Sequence, residues 1–511
     1  MANKFYITTP IYYVNDKPHL GHAYTTIAAD VLARFHRMKG DDTFFLTGTD
    51  EHGAKIQEIA EKQGKAPKEF VDEIAASFAM AWDTLNISND FFLRTTNPEH
   101  EKVVAYVLQK LYDEKYIYKG EYKALYCVGC EQYKTQADLV DGLCPDHKRA
   151  PEVHSEEAYM FALSKLEKKL LKAIKSDELE IKPVERKNEV LSFIENEGLR
   201  DVAISRRKEK VSWGIELPFD KNHTCYVWVD AFLNYLTGLG WSPYAETSED
   251  KPKNKDYQKF WPADVQLMSK DILRVHATIW PGLLLALGED LQKTMFIHGY
   301  FTIDGQKMSK SLGNVIDPVK LAQEYGVDVV RFYLLKEIPF GNDGDVSIEK
   351  LKKCYDSQLA NGLGNLVARV LGMSERYFDG VVPPITSSRL TNVWNAYEDY
   401  MARFQLDQAL ETVLLFMREL DRFIDQQQPW TLAKIDKEKL AEVMYILLES
   451  LRHIARMLWP FMPSTSEKIF EKLSIVEQER AIKYSEAKTW GELTPGTKVA
   501  KGESLFSRLQ T

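Results

Sequence analysis

The chain is predicted to be an α/β protein: a Rossmann-type nucleotide-binding domain, interrupted by an insertion with a metal knuckle and followed by an all-α helix bundle. Three observations predict this. A β-α-β pattern fills the first fifty residues, with His19-Leu20-Gly21-His22 where strand gives way to helix. Two short Cys/His clusters, Cys127-Val128-Gly129-Cys130 and Cys144-Pro145-Asp146-His147, lie part-way along. Beyond Gly341-Asn342-Asp343-Gly344-Asp345 the apolar residues fall into long helical stripes.

In order, Phe5-Tyr6-Ile7-Thr8 is aromatic and β-branched and reads as a strand that Pro10 limits. Ala23, Ile27, Val31, Leu32 and Phe35 fall on one helical face, and Gly40 stops that helix. Thr43-Phe44-Phe45-Leu46-Thr47 is a second buried strand. His19 and His22 therefore stand at a helix N-terminus, whose free N–H groups and positive dipole attract phosphate. Gly21 leaves room for close approach. The imidazoles can donate hydrogen bonds to phosphoryl oxygens as charge develops. Taken alone, the same histidines could simply cap and pack the helix.

The knuckle spacing is C-x2-C, thirteen residues, then C-x2-H. Three thiolates and an imidazole make a closed tetrahedral Zn2+ set, Cys127, Cys130, Cys144 and His147, with no open position for water. One structural ion is expected, on an insertion within the nucleotide fold. Cys225 and Cys354 have no partner spacing and read as packing residues.

Lys307-Met308-Ser309-Lys310-Ser311 sits between Gly305 and Gly313. Two lysines and two hydroxyls on a glycine-flanked, mobile loop can reach a triphosphate, although a solvated basic loop is the usual fate of such a string. The bundle's stripes are Leu406, Ala409, Val413, Met417, Leu420 and Ile424, then Leu447, Leu448, Leu451, Ile454, Ala455 and Leu458.

Bulk composition sets the frame. The 511 residues are too many for one core. Hydrophobic content of 44% and charged content of 28% are ordinary for a soluble globular chain. No apolar run reaches membrane length, and the N-terminus does not read as a signal peptide. Five cysteines make no disulfide framework, so a cytoplasmic setting is expected. A net charge of −9 excludes a wholesale basic coat but not a local nucleic-acid face.

HLGH and KMSKS, in this order, resemble the signatures of the class I aminoacyl-tRNA synthetases. Thr9-Pro10-Ile11-Tyr12-Tyr13-Val14-Asn15, Thr49-Asp50-Glu51-His52-Gly53 and Asp304-Gly305-Gln306 through Leu312-Gly313-Asn314 are similar to the methionyl-tRNA synthetases within that class, over essentially the whole chain. The resemblance implies ATP-dependent ligation of L-methionine to initiator and elongator tRNA(Met) through a methionyl-adenylate. His19, His22, Lys307 and Lys310 would be catalytic, and Mg2+ would neutralise pyrophosphate. Gly21, Lys270, Asp271, His298, Gly299, Ser309 and Lys310 would contact ATP. Ser269 stands where the family usually has Gly ahead of Lys270 and Asp271, a departure that bears on those contacts.

Ile11, Tyr13, Trp228, Tyr235, His276 and Trp280 match the family's methionine pocket. Aromatic groups suit a polarizable thioether, though most aromatics in these segments would otherwise read as sheet core. Asp50 matches the acceptor of the substrate ammonium and Arg206 the partner of its carboxylate region. Asn365 and Arg369, four apart on one helix face, and Trp430 match anticodon-reading residues. By its position at a helix junction alone, Trp430 reads as core. The implied domains are 1–115 and 221–296 for the split Rossmann domain, 116–220 for the zinc-bearing connective insertion, 297–355 for the KMSKS loop and linker, and 356–511 for the anticodon-binding bundle. The insertion is too short to hold an editing domain besides the knuckle. Longer family members append a dimerisation module after the bundle, so a monomer is expected. Three other functions stay open: a synthetase for another amino acid, a small-molecule nucleotidylyltransferase using H-x-G-H, and a non-catalytic tRNA-binding protein.

Overall fold

In the computed structural model the first strand, Lys4–Thr8, occupies the middle of a seven-stranded sheet. Residues 3–127, 132–134, 139, 141–145, 148–242, 257–307, 314–384, 393–475 and 484–507 are described, with the backbone alone at 122–127, 132–134, 153–155 and 307. Across the sheet the order is Tyr12–Tyr13, Asp42–Asp50, Lys4–Thr8, Val265–Ser269, Thr294–His298, Glu180–Lys182, and Phe91–Arg94 also pairs with Asp42–Asp50. Every pairing is parallel, with Tyr6 beside Phe44 and Ile7 beside Val265. Strands buried on both faces read as continuous apolar runs, which is why Phe44-Phe45-Leu46 was legible.

The chain reverses its direction of progress across the sheet at Lys4–Thr8, flanked by Asp42–Asp50 on one side and by the distant Val265–Ser269 on the other. A crevice opens at the carboxyl ends of strands at such a switch point. It collects Pro10 and Ile11, Asp50, Ser269 and His298, which are far apart in sequence. Helix Leu20–Lys39 packs its Ala23, Ile27, Val31, Leu32 and Phe35 face inward and ends at Gly40, whose φ of 85° only glycine adopts without strain.

The insertion is a four-stranded antiparallel sheet built on Ile117–Cys127 and Glu152–Phe161, with Gln132–Lys134 and Val202–Ala203 at its edges. Within the 116–220 stretch, Glu180–Lys182 behaves differently: it joins the central sheet, parallel to Thr294–His298. Three residues with a single buried apolar side chain, Ile181, give almost no periodic signal.

The C-terminal part is helical, as expected. Both apolar stripes are buried, on Leu406–Gln427 and Lys437–Leu458. The second helix is buried around its whole circumference from Val443 to Leu458, covered by neighbouring helices and by residues 487–493. Within it two buried charges pair, Arg452 donating to Glu449 at 2.6 Å. One apolar cluster runs from Ile27, Val31 and Phe35 of the first helix to Leu447 and Leu451 of the bundle. Cys225 and Cys354 are buried packing residues, as expected. Among the described residues no helix is long and apolar enough to cross a membrane.

Candidate active site

A cavity of about 490 Å³ opens over the carboxyl ends of the central strands, a volume ordinary for a small-molecule site. At one end stand the two signature histidines. His19 caps the helix: its Nδ1 accepts from the Gly21 N–H at 3.1 Å. His22 reciprocates, its Nδ1 accepting from the His19 N–H at 3.3 Å. Both Nδ1 atoms are acceptors, so each neutral ring carries its proton on Nε2. The rings stack at 3.7 Å and line the cavity. Burial lowers the pKa of both, and His22 is pushed further down by the charge His19 would carry. Capping consumes Nδ1 on each ring and leaves Nε2–H as its remaining donor.

His298 closes the same end. Its Nδ1–H donates to the Gly299 carbonyl at 2.8 Å and its Nε2 accepts from the Thr25 hydroxyl at 2.7 Å. Burial pushes it down to about 4, so it too is neutral. Gly299 is required by space: a Cβ there would lie 2.4 Å from the Asn342 carbonyl and from Asp343 Oδ1.

The other end is apolar and aromatic. Helix Val227–Phe232 turns Trp228 and Phe232 toward the cavity, and Ile11, Tyr13, Tyr235 and His276 complete that wall. His276 is fixed in one tautomer, Nδ1–H donating to the Ile272 carbonyl and Nε2 accepting from the Tyr235 hydroxyl, both at 3.0 Å. Burial holds it at about 4. A neutral, oriented imidazole and phenol give a polar edge to an otherwise apolar pocket.

Asp50 ends its strand at the cavity wall, 7% exposed, and its Oδ1 has no hydrogen-bond partner in the protein. Burial, and next the charge of Asp230, raise its pKa well above the usual carboxylate range. A buried, unpaired carboxylate oxygen costs free energy unless a cation meets it.

Other expected residues stand elsewhere. Trp280 is fully buried behind Phe232, stacked at 6.0 Å, and donates to Gln266 Oε1 at 3.2 Å. It supports the wall without forming part of it. Arg206 lies over the Tyr226 ring at 4.3 Å and donates to the Ser205 carbonyl, away from the cavity lining. Asp271 lines the cavity, with Ser269 donating to its carboxylate. Lys270 is turned to Asp343, at 2.6 and 2.8 Å, and lies over Tyr300. Ser309 and Lys310 fall outside the described residues, and only the backbone of Lys307 is described, in a short strand.

Sequence reasoning did not single out Tyr12, Thr25, Phe232, Tyr300 or Phe301, although signals existed. Thr25 is one turn beyond His22 on the same helix face, Phe232 is four residues beyond Trp228, and Tyr300 and Phe301 directly follow the His298-Gly299 pair.

Of the knuckle, Cys130 and His147 lie outside the described residues and Cys127 has a described backbone only. Cys127 pairs with Gln132 in an antiparallel ladder, and Cys144 is fully buried although Leu143 and Pro145 beside it are exposed. In the bundle, Asn365 begins helix Asn365–Phe378 and is exposed. Arg369, one turn on, is held by Asp425 at 2.6 Å and Asp421 at 3.4 Å. Those aspartates lie on the helix that leads directly to Pro429, and Trp430 is 44% exposed. That exposure excludes its reading as core.

Comparison with known proteins agrees with this geometry. Residues 5–150 and 138–371 match the family model of class I tRNA synthetases (M), and residues 385–511 match that of the anticodon-binding domain of methionyl tRNA ligase. The chain is 46% identical, over its whole length and 79% of the relative's, to a methionine–tRNA ligase of Caldanaerobacter subterraneus subsp. tengcongensis. It is 42% identical to that of Rickettsia bellii, over 95% of each chain. The solved structure of Mycobacterium tuberculosis methionyl-tRNA synthetase in complex with methionyl-adenylate superimposes with a TM-score of 0.89 at 35% identity, covering 99% of this chain and 100% of that one. With these relatives along its whole length, the chain belongs to the methionyl-tRNA synthetase family of class I aminoacyl-tRNA synthetases.

Proposed function

We propose that this protein ligates L-methionine to tRNA(Met) in two steps at this one cleft. The observation that carries the reading is the unpaired Asp50 oxygen, buried beside an aromatic pocket that opens onto the His19 and His22 donors. Asp50 takes the methionine ammonium. The thioether lies among Trp228, Tyr235 and His276, where sulfur–aromatic contact favours it modestly. The substrate carboxylate attacks the α-phosphate of ATP, the bond from the α-phosphorus to the bridging oxygen breaks, and pyrophosphate leaves. A 2′- or 3′-hydroxyl of the tRNA terminal adenosine then attacks the activated carbonyl, AMP departs, and the ester forms.

The side chains position and stabilise charge, and none forms a covalent intermediate. The Nε2–H groups of His19 and His22 donate to the transferring phosphate as negative charge builds on it. Lys307 and Lys310 hold the β- and γ-phosphates, and Mg2+ enters as the counter-ion of ATP. Lys270 leaves Asp343 to reach the nucleotide. Asn365, Arg369 and Trp430 read the anticodon, the indole face offering a stacking platform for an unpaired base. Cys127, Cys130, Cys144 and His147 would hold one structural Zn2+. The antiparallel pairing of Cys127 with Gln132 and the isolated burial of Cys144 suit that donor set.

Amino-acid-dependent ATP–pyrophosphate exchange, run over the amino acids one by one, tests the first step, and charging of initiator and elongator tRNA tests the second. Methionine alone should support rapid exchange. Exchange driven equally well by another amino acid, or by none, would sink the reading.

A further inference from the structure

Behind Asp50 lies a buried ionic cluster that the two reaction steps leave unused. Asp230 is 1% exposed, and both its oxygens are taken by histidines. Its Oδ2 is 2.6 Å from His52 Nδ1, and its Oδ1 is 2.9 Å from His100 Nε2. His100 Nδ1 is in turn 2.8 Å from the Thr237 hydroxyl. The other nitrogen of His52 is 3.5 Å from Glu101 Oε1. Three elements meet here: the strand that ends in Asp50, helix Val227–Phe232, which also carries Trp228 and Phe232 of the pocket, and helix Pro98–Asp113.

His52 is buried and packed on both sides along the chain. It is two residues past Asp50, its ring is 5.5 Å from that of Trp213, and the Trp213 indole donates to the Glu51 carbonyl at 2.6 Å. Gly53 follows at φ 117°, where a side chain would be strained and its Cβ would sit 3.0 Å from the Tyr13 hydroxyl. Glu51, between Asp50 and His52, is occupied by Arg94 at 2.6 and 2.8 Å. The nearby Cys225 thiol is pushed well up by burial and stays neutral.

Charge then decides what the cluster does. Burial works against a charge on His52, but the charge and hydrogen bond of Asp230, then Glu101 and Asp50, outweigh it and raise the ring to about 10. Burial likewise opposes ionisation of Asp230, yet the His52 charge and the two histidine hydrogen bonds bring it down to about 2. The His52 charge and its backbone N–H are also the groups that oppose the rise at Asp50. The charged His52 ring is thus hydrogen-bonded to one buried carboxylate, Asp230, and lies two residues along the chain from the other, Asp50 at the cavity wall.

We propose that Asp230, clamped by His52 and His100, holds the His52 charge beside Asp50 as a fixed counter-charge, making His52 and Asp230 positioning residues for the amino-acid ammonium. This rests on the assignment of Asp50 to that ammonium. Removing the His52 charge while leaving Asp230 ionised leaves a bare carboxylate behind Asp50, so Asp50 holds its proton to higher pH. Removing both charges largely restores the balance.

The test uses the full-length protein and its pyrophosphate exchange from pH 6 to 9. Asparagine at position 52 puts an amide N–H where Nδ1 stands and carries no charge. His52→Asn is expected to raise the KM for methionine about tenfold or more at pH 7, with the gap narrowing as pH rises, while the KM for ATP and kcat stay within about threefold. The double variant His52→Asn/Asp230→Asn is expected to recover most of the loss. His52→Gln, read in the same assay, replaces His52→Asn if the latter does not fold. A methionine KM unchanged in the single variants would overturn the proposal, as would a double variant impaired as badly as the single, since a merely structural cluster would lose function cumulatively and independently of pH. If wild-type exchange does not depend on methionine, the pocket assignment itself fails, which these comparisons between variants distinguish.

Discussion

At Asp50, burial and a neighbouring carboxylate favour the neutral acid, while one oxygen is buried at the cavity wall without a hydrogen-bond partner. An incoming ammonium reverses that balance, because a charge-assisted hydrogen bond in a dry site is among the stronger polar contacts. Asp50→Asn keeps the shape and removes the charge. It is expected to raise the methionine KM by about 10- to 100-fold, equivalent to the roughly 1.5–3 kcal/mol of a hydrogen bond to a charged group. Steady-state exchange kinetics would read this, and a methionine KM within twofold of wild type would dismiss the role. The sign of the pH effect in the wild type follows. Below the raised Asp50 pKa the free enzyme holds a proton that methionine must displace, so the methionine KM falls as pH rises and levels off once Asp50 is ionised in the free form. At this scale the sequence was informative about residue type and much less about orientation. His19 and His22 could be read as caps or as phosphate donors; the Nδ1 contacts show the capping and leave each Nε2–H as the ring's remaining donor. Trp280 and Arg206 matched pocket positions by resemblance, yet one backs the wall and the other lies on Tyr226. Asp230 looked like one more residue in an aromatic segment until two distant histidines closed on it.

Elements were legible where periodicity was strong. The helix Leu20–Lys39 and the stripe from Leu406 to Ile424 repeat at helical spacing over several turns, and both lie where the pattern placed them. Glu180–Lys182 shows the opposite limit, since its place in the central sheet depends on Thr294–His298, more than a hundred residues away. The inserted hairpin and the bundle each carry a prediction. The purified protein is expected to contain about one zinc per chain by metal analysis. Cys144→Ser should lose that zinc and make the insertion more sensitive to limited proteolysis; full retention of zinc would count against the ligand set. Trp430, exposed at the start of Pro429–Ile435, has little packing to lose. Trp430→Ala is therefore expected to leave pyrophosphate exchange near wild type while weakening tRNA charging by about tenfold or more, the loss of one base–aromatic stack of about 1–3 kcal/mol. Equal loss in both assays would mark the residue as structural.

The catalytic domain and the bundle share one apolar core, and a buried ion pair is set into their junction. Arg331 is fully buried and donates to Asp30 at 2.7 Å, to the Phe461 and Pro460 carbonyls at 2.9 Å, and to the Leu85 carbonyl at 3.2 Å. Asp30 lies on the helix that begins at the HLGH motif, and it also accepts from Arg34 at 2.8 Å and from the Ser88 N–H at 2.7 Å. Removing one member of such a group strands the others without water. Arg331→Met is expected to destabilise the protein by about 3–5 kcal/mol, seen as unfolding at lower urea. A transition unchanged from wild type would contradict that account. The pair also carries an acid dependence. Burial would raise Asp30, but the charges of Arg331 and Arg34 and the Ser88 hydrogen bonds outweigh it and hold the carboxyl below its usual range. The unfolded chain binds that proton more readily, so this stability is complete above the ordinary aspartate pKa of about 4 and is lost as pH falls through the depressed folded value. Unfolding midpoints of wild type and Arg331→Met should therefore converge in acid.

The order of elements, the location of HLGH at a helix N-terminus, the knuckle spacing and the helical stripes were determined by the sequence itself. Each is a local property: backbone sterics, helix termini and apolar periodicity act over a few turns, and the linear order of residues records them. The tertiary structure decided which distant side chains share a cavity, which of the expected pocket residues face it, and what charge Asp50 meets there. Those outcomes depend on strands from residues 4, 42, 265 and 294 being laid side by side. They depend too on desolvation and Coulomb interactions, whose strength is set by distance in space and by burial rather than by separation along the chain.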